Sequence, residues 1–263
     1  MTHDRQVLSE LSAAVAGGLP VTQATIVATN RSVPRHAGTK MLVFGDGATI
    51  GTVGGGAMEA AVIHEARRAL RTGTPHLLEY DLVNPAEGDP GICGGTVTIY
   101  LEPFMPPHTV YVIGCGHVGS SVVDLAHWIG YRTIAIDDRQ EFLTEEALPN
   151  ADVRFHGRVE AALAAHPVSE DSSIVVVTRS TDLDAAVLPQ VLETPAGYIG
   201  VMGSRTRWRA TRDRLISGGV APEELERVHS PIGLDVNAET LEEIAVSIMS
   251  EVIMINRSPS VDS

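Results

Sequence analysis

Apolar and polar positions follow two different rhythms along this chain. Up to Leu101 the apolar runs are short and mixed in type. Val7, Leu8, Leu11, Ala14 and Val15 recur at helical spacing and predict a helix over residues 4–15, which Gly17-Gly18 ends. Val21 to Thr29 reads as a buried strand. Lys40–Phe44 and Ala48–Val53 read as a hairpin closed by Gly45-Asp46-Gly47. Gly54-Gly55-Gly56 then leads into a helix predicted over residues 58–70. Leu77–Tyr80 and Thr96–Leu101 read as two more strands, separated by a loop rich in proline, glycine and acids over Asn84–Gly91.

After Pro103, Pro106 and Pro107 the rhythm changes to strand, helix, strand. Val110–Ile113 is a short apolar run, Val118–Ile129 an amphipathic helix and Thr133–Ile136 a second run. Ile174–Val177 and Tyr198–Met202 read as strands, and Asp184–Leu192 and Arg207–Leu215 as helices. This alternation predicts a doubly wound parallel sheet. A last helix over residues 241–255 presents Leu241, Ile244, Ala245, Ile248, Met249, Val252 and Ile253 on one broad face, behind a capping box at Thr240 and Glu243. That face is expected to pack on the first domain or on a partner chain. The predicted fold class is therefore α/β. A small mixed α/β domain over residues 1–102 is joined by a linker at 103–108 to a Rossmann-type domain over 109–257, with a disordered tail at 258–263.

Composition narrows the function classes. The formal net charge is −14, which repels phosphate backbones and argues against nucleic acid as a partner. No apolar run has the length of a membrane span, and the first residues lack a signal-peptide core, so a cytoplasmic protein is expected. Of 19 basic residues only Lys40 is a lysine, which leaves many arginines suited to bidentate contacts with phosphate or carboxylate. Cys93 and Cys115 form neither a disulfide framework nor a CxxC pair, and no metal site is expected.

The most informative segment is Gly114-Cys-Gly116-His117-Val118-Gly119, which follows a strand and opens a helix. Gly114 permits the tight turn, Gly116 lets a pyrophosphate approach, and Gly119 lets helix and strand pack closely. The helix N-terminus offers free N–H groups to phosphate. Asp137 and Asp138 lie about 20 residues on, where an acid accepts ribose hydroxyls and favours NAD. Arg139 follows at once and would tolerate the 2′-phosphate of NADP. His117, at the start of the helix, is read as a surface residue before a catalyst.

Other segments carry candidate chemistry. Gly54-Gly55-Gly56 reads either as a tight turn or as a backbone concavity for an anion, with Glu59 in the first helical turn. Arg35, on a loop, is either solvated or a clamp for a phosphate or pterin group. Cys93, among Gly91, Gly94 and Gly95, is either a small packed residue or a sulfur ligand or nucleophile. Thr178, Arg179 and Asp182 end one predicted strand and Gly203, Ser204 and Arg205 another, at the strand ends where Rossmann folds place ligands.

Taken in order, these segments resemble the xanthine dehydrogenase accessory-factor family, XdhC/CoxI. The resemblance covers nearly the whole chain and rests on Pro34-Arg35, Gly38 and Met41-Leu42-Val43, on Gly51-Thr-Val-Gly54-Gly55-Gly56 with Glu59, on Cys93-Gly94-Gly95 with Glu102-Pro103, on the Gly114 fingerprint with Asp137-Asp138-Arg139, on Tyr198-Ile-Gly with Gly203-Ser204-Arg205, and on Pro231-Ile-Gly-Leu-Asp235. It implies a protein that binds molybdenum cofactor, helps its sulfuration and hands it to a xanthine dehydrogenase or related hydroxylase. It also implies frequent homodimerisation. Two departures stand out. Ala57 follows the glycine triplet where the family usually has cysteine, and Arg179 follows Thr178 where the family commonly has histidine. Losing a thiol removes a soft ligand, and losing a histidine removes a proton carrier. Three readings stay open. One is an accessory protein holding molybdenum cofactor between its domains, with the glycine triplet, Arg35 and Cys93 as contacts. Another is an NAD(P)-dependent oxidoreductase acting on a small molecule in that cleft, with His117, Glu59, Cys93 or Asp182 in catalytic roles. The third is a structural relative with no ligand.

Overall fold

The computed structural model describes residues 2–31, 33–82 and 95–257. Its contacts divide the chain after Pro106 into two compact units. In the first, helix α1 (Thr2–Ala16) precedes strand β1 (Val21–Asn30), β2 (Lys40–Phe44) and β3 (Thr49–Gly51). Helix α2 (Gly56–Thr72), β4 (His76–Asp81) and β5 (Thr96–Phe104) follow. The strands form an antiparallel sheet in the order β3-β2-β1-β5-β4. The pleat sorts its residues. Leu42 and Val21 turn to α1, where they meet Val7 and Ala14. Met41, Val43, Ala24 and Ile26 turn to α2, where they meet Met58 and Val62. Strand β5 runs on through Pro103, which pairs with Thr22. The last β4 partner is His76, opposite Leu101, so Pro103 lies where β5 has become an edge and a missing N–H is tolerated.

The second unit alternates strand and helix. Strand β6 (Thr109–Ile113) leads to α3 (His117–Trp128), β7 (Arg132–Asp137), β8 (Val153–His156), α4 (Val159–Ala165) and β9 (Ser172–Val176). Helix α5 (Thr181–Leu192), β10 (Tyr198–Val201), α6 (Arg205–Ser217), β11 (Val228–His229) and α7 (Leu241–Asn256) complete it. The strands form a parallel sheet in the order β11-β10-β9-β6-β7-β8. This is the doubly wound arrangement, with β6 and β9 flanking the point where strand order reverses. Both faces are covered, which explains the unbroken apolar runs. Val110, Val112 and Val175 pack with Val122 of α3 and Ile248 of α7 on one face. Tyr111, Ile113 and Ile174 pack with Ala162, Leu188 and Leu215 on the other.

The short elements β8, α4 and β11 escape the apolar pattern. The helix α7 keeps its capping box at Thr240 and Glu243 and lies against α3 and β10 of its own unit. Its buried face carries Ser247 and Glu251 among apolar residues, and Glu251 shows how the helix is fixed. The carboxylate accepts from the Tyr198 hydroxyl at 2.5 Å and the Gly233 N–H at 2.7 Å, and His229 Nδ1 lies 3.3 Å away. Tyr198 stacks on the His229 ring at 5.0 Å. Burial and the adjacent Glu251 push the Tyr198 hydroxyl far above its usual range, so it remains a donor.

Removing the Glu251 side chain leaves the buried Tyr198 hydroxyl and the part-buried Gly233 N–H without their acceptor. Glu251→Ala is expected to cost about 3 kcal/mol of stability, and Glu251→Gln less, because an amide oxygen still accepts. Urea denaturation of the two variants checks this. A loss below about 1 kcal/mol for Glu251→Ala would show that α7 is held by its apolar face alone.

Candidate functional site

The turn from β6 into α3 is shaped by three glycines with different duties. Gly114 has φ of 99°, and a Cβ there would lie 2.7 Å from the Val177 carbonyl oxygen. A Cβ on Gly119 would lie 2.0 Å from the Gly114 carbonyl oxygen. Glycine is therefore required at both positions for helix α3 to sit against the strands. Gly116 differs. Its φ of −68° and ψ of −166° suit any residue, and a Cβ there would meet only Arg139 Nη2, at 4.0 Å. Neither backbone conformation nor packing calls for glycine at 116, which leaves room over the loop as the remaining use. No side chain caps the first turn of α3, so His117 and Val118 face that space with main-chain N–H groups.

Asp137 closes β7 and holds this loop. Its side chain is 1% exposed. Oδ2 accepts from the Cys115 N–H at 2.7 Å and from Arg139 Nη2 at 3.0 Å. Oδ1 accepts from the Arg139 N–H and Nε, both at 2.9 Å. Both lone pairs of each oxygen are thus engaged. Asp137, expected to accept ribose hydroxyls, is occupied within the protein. The Cys115 thiol beneath it is buried and pushed up to about 12, first by desolvation and then by Asp137, so it is inert.

Asp138, half exposed, is held by Arg179 through two hydrogen bonds of 2.8 Å. The pair joins the segments that follow β7 and β9, the two neighbours of β6. Arg179 draws the Asp138 carboxyl down to about 2. A cavity of about 380 Å3 opens beside this pair, with Ile113, Ile136 and Val187 among its apolar walls and Arg139, Arg158 and Arg179 among its charged ones.

Thr178 belongs to a buried clamp missed by sequence reasoning. Its hydroxyl donates to Asp184 Oδ1 at 2.6 Å, and Arg207 donates to Asp184 Oδ2 at 2.7 and 2.9 Å. Gly203 makes way for Arg207, since a Cβ there would meet its Cδ at 2.8 Å. Ser204 caps α6 through the Arg207 N–H, and Arg205 opens that helix, exposed. An acid on the inward side of α5 is the signal that marks Asp184. Arg158 was missed because it follows β8, itself unrecognised.

The catalytic candidates fall in both units. His117 is exposed at the start of α3, and Asp182 forms an exposed ion pair with Arg214. In the first unit, Glu59 accepts from the Thr52 hydroxyl and from the Gly55 N–H. Gly54, Gly55 and Gly56 all have positive φ, so the concavity exists, and it holds the protein's own carboxylate. Arg35 is exposed on the loop after β1. Cys93 lies outside the described residues.

A glycine-rich turn at the switch point of a six-stranded parallel sheet defines a Rossmann-type domain. Residues 110–252 match the XdhC Rossmann domain and residues 14–81 match the XdhC and CoxI family. The chain belongs to the XdhC and CoxI family. It is 31% identical over 243 residues to the uncharacterized protein YqeB of Escherichia coli, covering 91% of this chain and 44% of that one. It is 28% identical over 166 residues to a probable xanthine dehydrogenase subunit of Bacillus subtilis, covering 63% of this chain and 48% of that one. The chain thus spans under half the length of these two relatives. The molybdenum cofactor insertion chaperone PaoD of Escherichia coli is 22% identical, with 100% of this chain and 92% of that one covered. A Bacillus halodurans structure described as a xanthine dehydrogenase shares the fold, with a TM-score of 0.52, 22% identity and 97% of each chain covered.

Two outcomes follow from the geometry. Gly119→Ala is expected to lower the melting temperature sharply, because the new methyl meets main chain; an unchanged melt would refute the close contact. Asp138 has a depressed carboxyl, so its ion pair stabilises the fold above its ordinary value of 3.8, and that contribution fades as pH falls towards about 2. For so exposed a pair, the gap between wild type and Asp138→Asn should stay under about 1 kcal/mol near neutrality and close in strong acid. A gap independent of pH would contradict this.

Proposed function

We propose that this chain is an accessory protein of a molybdenum hydroxylase, taking molybdenum cofactor as cargo for sulfuration and insertion. The amide socket at Gly114–Gly119 is its anchor for a phosphate-bearing ligand. Gly116 carries the reading, because the fold itself gives that glycine no work. Family membership and the chaperone name carried by PaoD support the accessory role. In this reading the chain's residues bind and orient. The N–H groups of α3 hold the phosphoryl oxygens, Arg139, Arg158 and Arg179 supply charge, and apolar walls limit water. The hydroxylase is the partner, the protein works as a homodimer in the cytoplasm, and Gly203–Arg205 are further ligand contacts of the second unit, as Arg35 and Cys93 are ligand contacts of the first.

A second reading, an NAD(P)-dependent oxidoreductase, is favoured by the complete glycine fingerprint on a doubly wound sheet. NAD(P) fits the open loop and cavity and would supply hydride chemistry when bound. The residues offered as proton donors serve it poorly, since Glu59 closes its own glycine turn and Asp182 is paired on the surface.

Gly116→Val fills the open space without disturbing the main chain. The variant is expected to fold as wild type does, to lose binding of isolated molybdenum cofactor by at least about tenfold, and to fail in activating an apo-hydroxylase. Titration and a reconstitution assay read this out. Tight nicotinamide binding by the wild type with no affinity for the pterin would overturn the accessory reading.

A further inference from the structure

Arg139 stands where a dinucleotide's ribose would meet the end of β7. Its Nε and Nη2 donate to the two oxygens of Asp137, and the same Nη2 lies 4.0 Å from the position a Cβ on Gly116 would take. The guanidinium therefore fills the gap between the acid and the glycine loop. The Phe142 ring holds it from the side, with its centroid 3.9 Å from Cζ.

The consequence is chemical. A free ribose diol is recognised by a carboxylate that accepts its hydroxyl protons. Asp137 has no such capacity left. The wall presents donors instead, because a guanidinium carries five N–H groups and Asp137 takes only two of them from Arg139. A row of fixed donors matches a phosphate monoester, which has acceptor oxygens and negative charge.

Arg179 adds a second cation across the crevice. Its partner Asp138 is 52% exposed, so water already competes for the pair and exchanging the carboxylate for a phosphate is a small step. The other charges lining the cavity are Arg158 and Glu160, which pair with each other at the surface at 3.0 Å. Each acid there is matched to an arginine, so an added phosphate meets guanidinium groups with unused N–H donors and no unpaired carboxylate.

We propose that this crevice selects a dinucleotide whose ribose carries a 2′-phosphate over one with a free diol, with Arg139 as the main contact and Arg179 as the second. The inference rests on Gly114–Gly119 being a diphosphate socket and is independent of the pterin cargo. Asp138 is the acceptor a free diol would use, so preference for NAD is the rival outcome.

Calorimetric titration of the full chain with NADP+, NAD+, 2′,5′-ADP and 5′-AMP tests it. NADP+ is expected to bind at least about tenfold more tightly than NAD+, and 2′,5′-ADP more tightly than 5′-AMP. Arg139→Ala frees Asp137 and is expected to invert that order. Should this variant fail to fold, Arg179→Ala, at an exposed position, is expected to narrow the ratio severalfold without inverting it. Equal or tighter binding of NAD+ by the wild type would overturn the selection and leave the socket standing. Absence of binding by all four probes would remove the socket and the selection together.

Discussion

The second unit depends on the clamp that the Asp137 carboxylate forms with the start of the glycine loop. Gly114 must turn with φ of 99° under the Val177 carbonyl, and nothing in a glycine's own preferences selects that turn over others. Asp137 selects it by accepting the Cys115 N–H while it holds Arg139 by main chain and side chain. With the loop so fixed, α3 approaches until Gly119 touches Gly114, and the N–H groups of its first turn are left pointing outward. The Asp137 carboxylate is buried, which costs desolvation, and the four hydrogen bonds it accepts offset that cost. The same clamp places a guanidinium beside the glycine loop, so one interaction sets both the shape and the charge of the crevice.

The two units use glycine-rich concavities in opposite ways. At Gly54–Gly56 the turn closes on Glu59, a carboxylate from its own helix, with Thr52 completing the network. At Gly114–Gly119 the internal carboxylate lies below the loop and takes only the Cys115 N–H, so the upper face stays open. A concave glycine turn is common to both, and the position of the nearest acid decides which of its N–H groups are taken up within the fold.

Much of the architecture was legible in the sequence. The alternating apolar runs gave the principal strands and helices of the Rossmann domain, because strands buried on both faces cannot hide their composition. The β8 strand was not legible, since Val153–His156 is short and only partly buried, and α4 is a helix of 7 residues with little room for periodicity. The site was half legible. Glycine spacing located the loop, and Asp137 was found by its distance along the chain. Its occupancy was not, because Arg139 reaches it by a local fold-back that no pattern records. The Asp184–Arg207 clamp joins residues from different helices and is invisible to any local window. Ala57 and Arg179, the departures from the family's usual residues, gained meaning unequally. Arg179 has a partner in Asp138, and nothing in the structure explains Ala57.

The central claim is that the main-chain N–H groups at the start of α3 form an open seat for phosphate. Amide NMR of the labelled protein during titration with inorganic pyrophosphate addresses it at single-residue resolution. The account predicts saturable shifts centred on Gly116, His117, Val118 and Gly119, with Gly54–Gly56 unmoved. Shifts absent from those four amides, or equal across the arginine-rich surface, would contradict it.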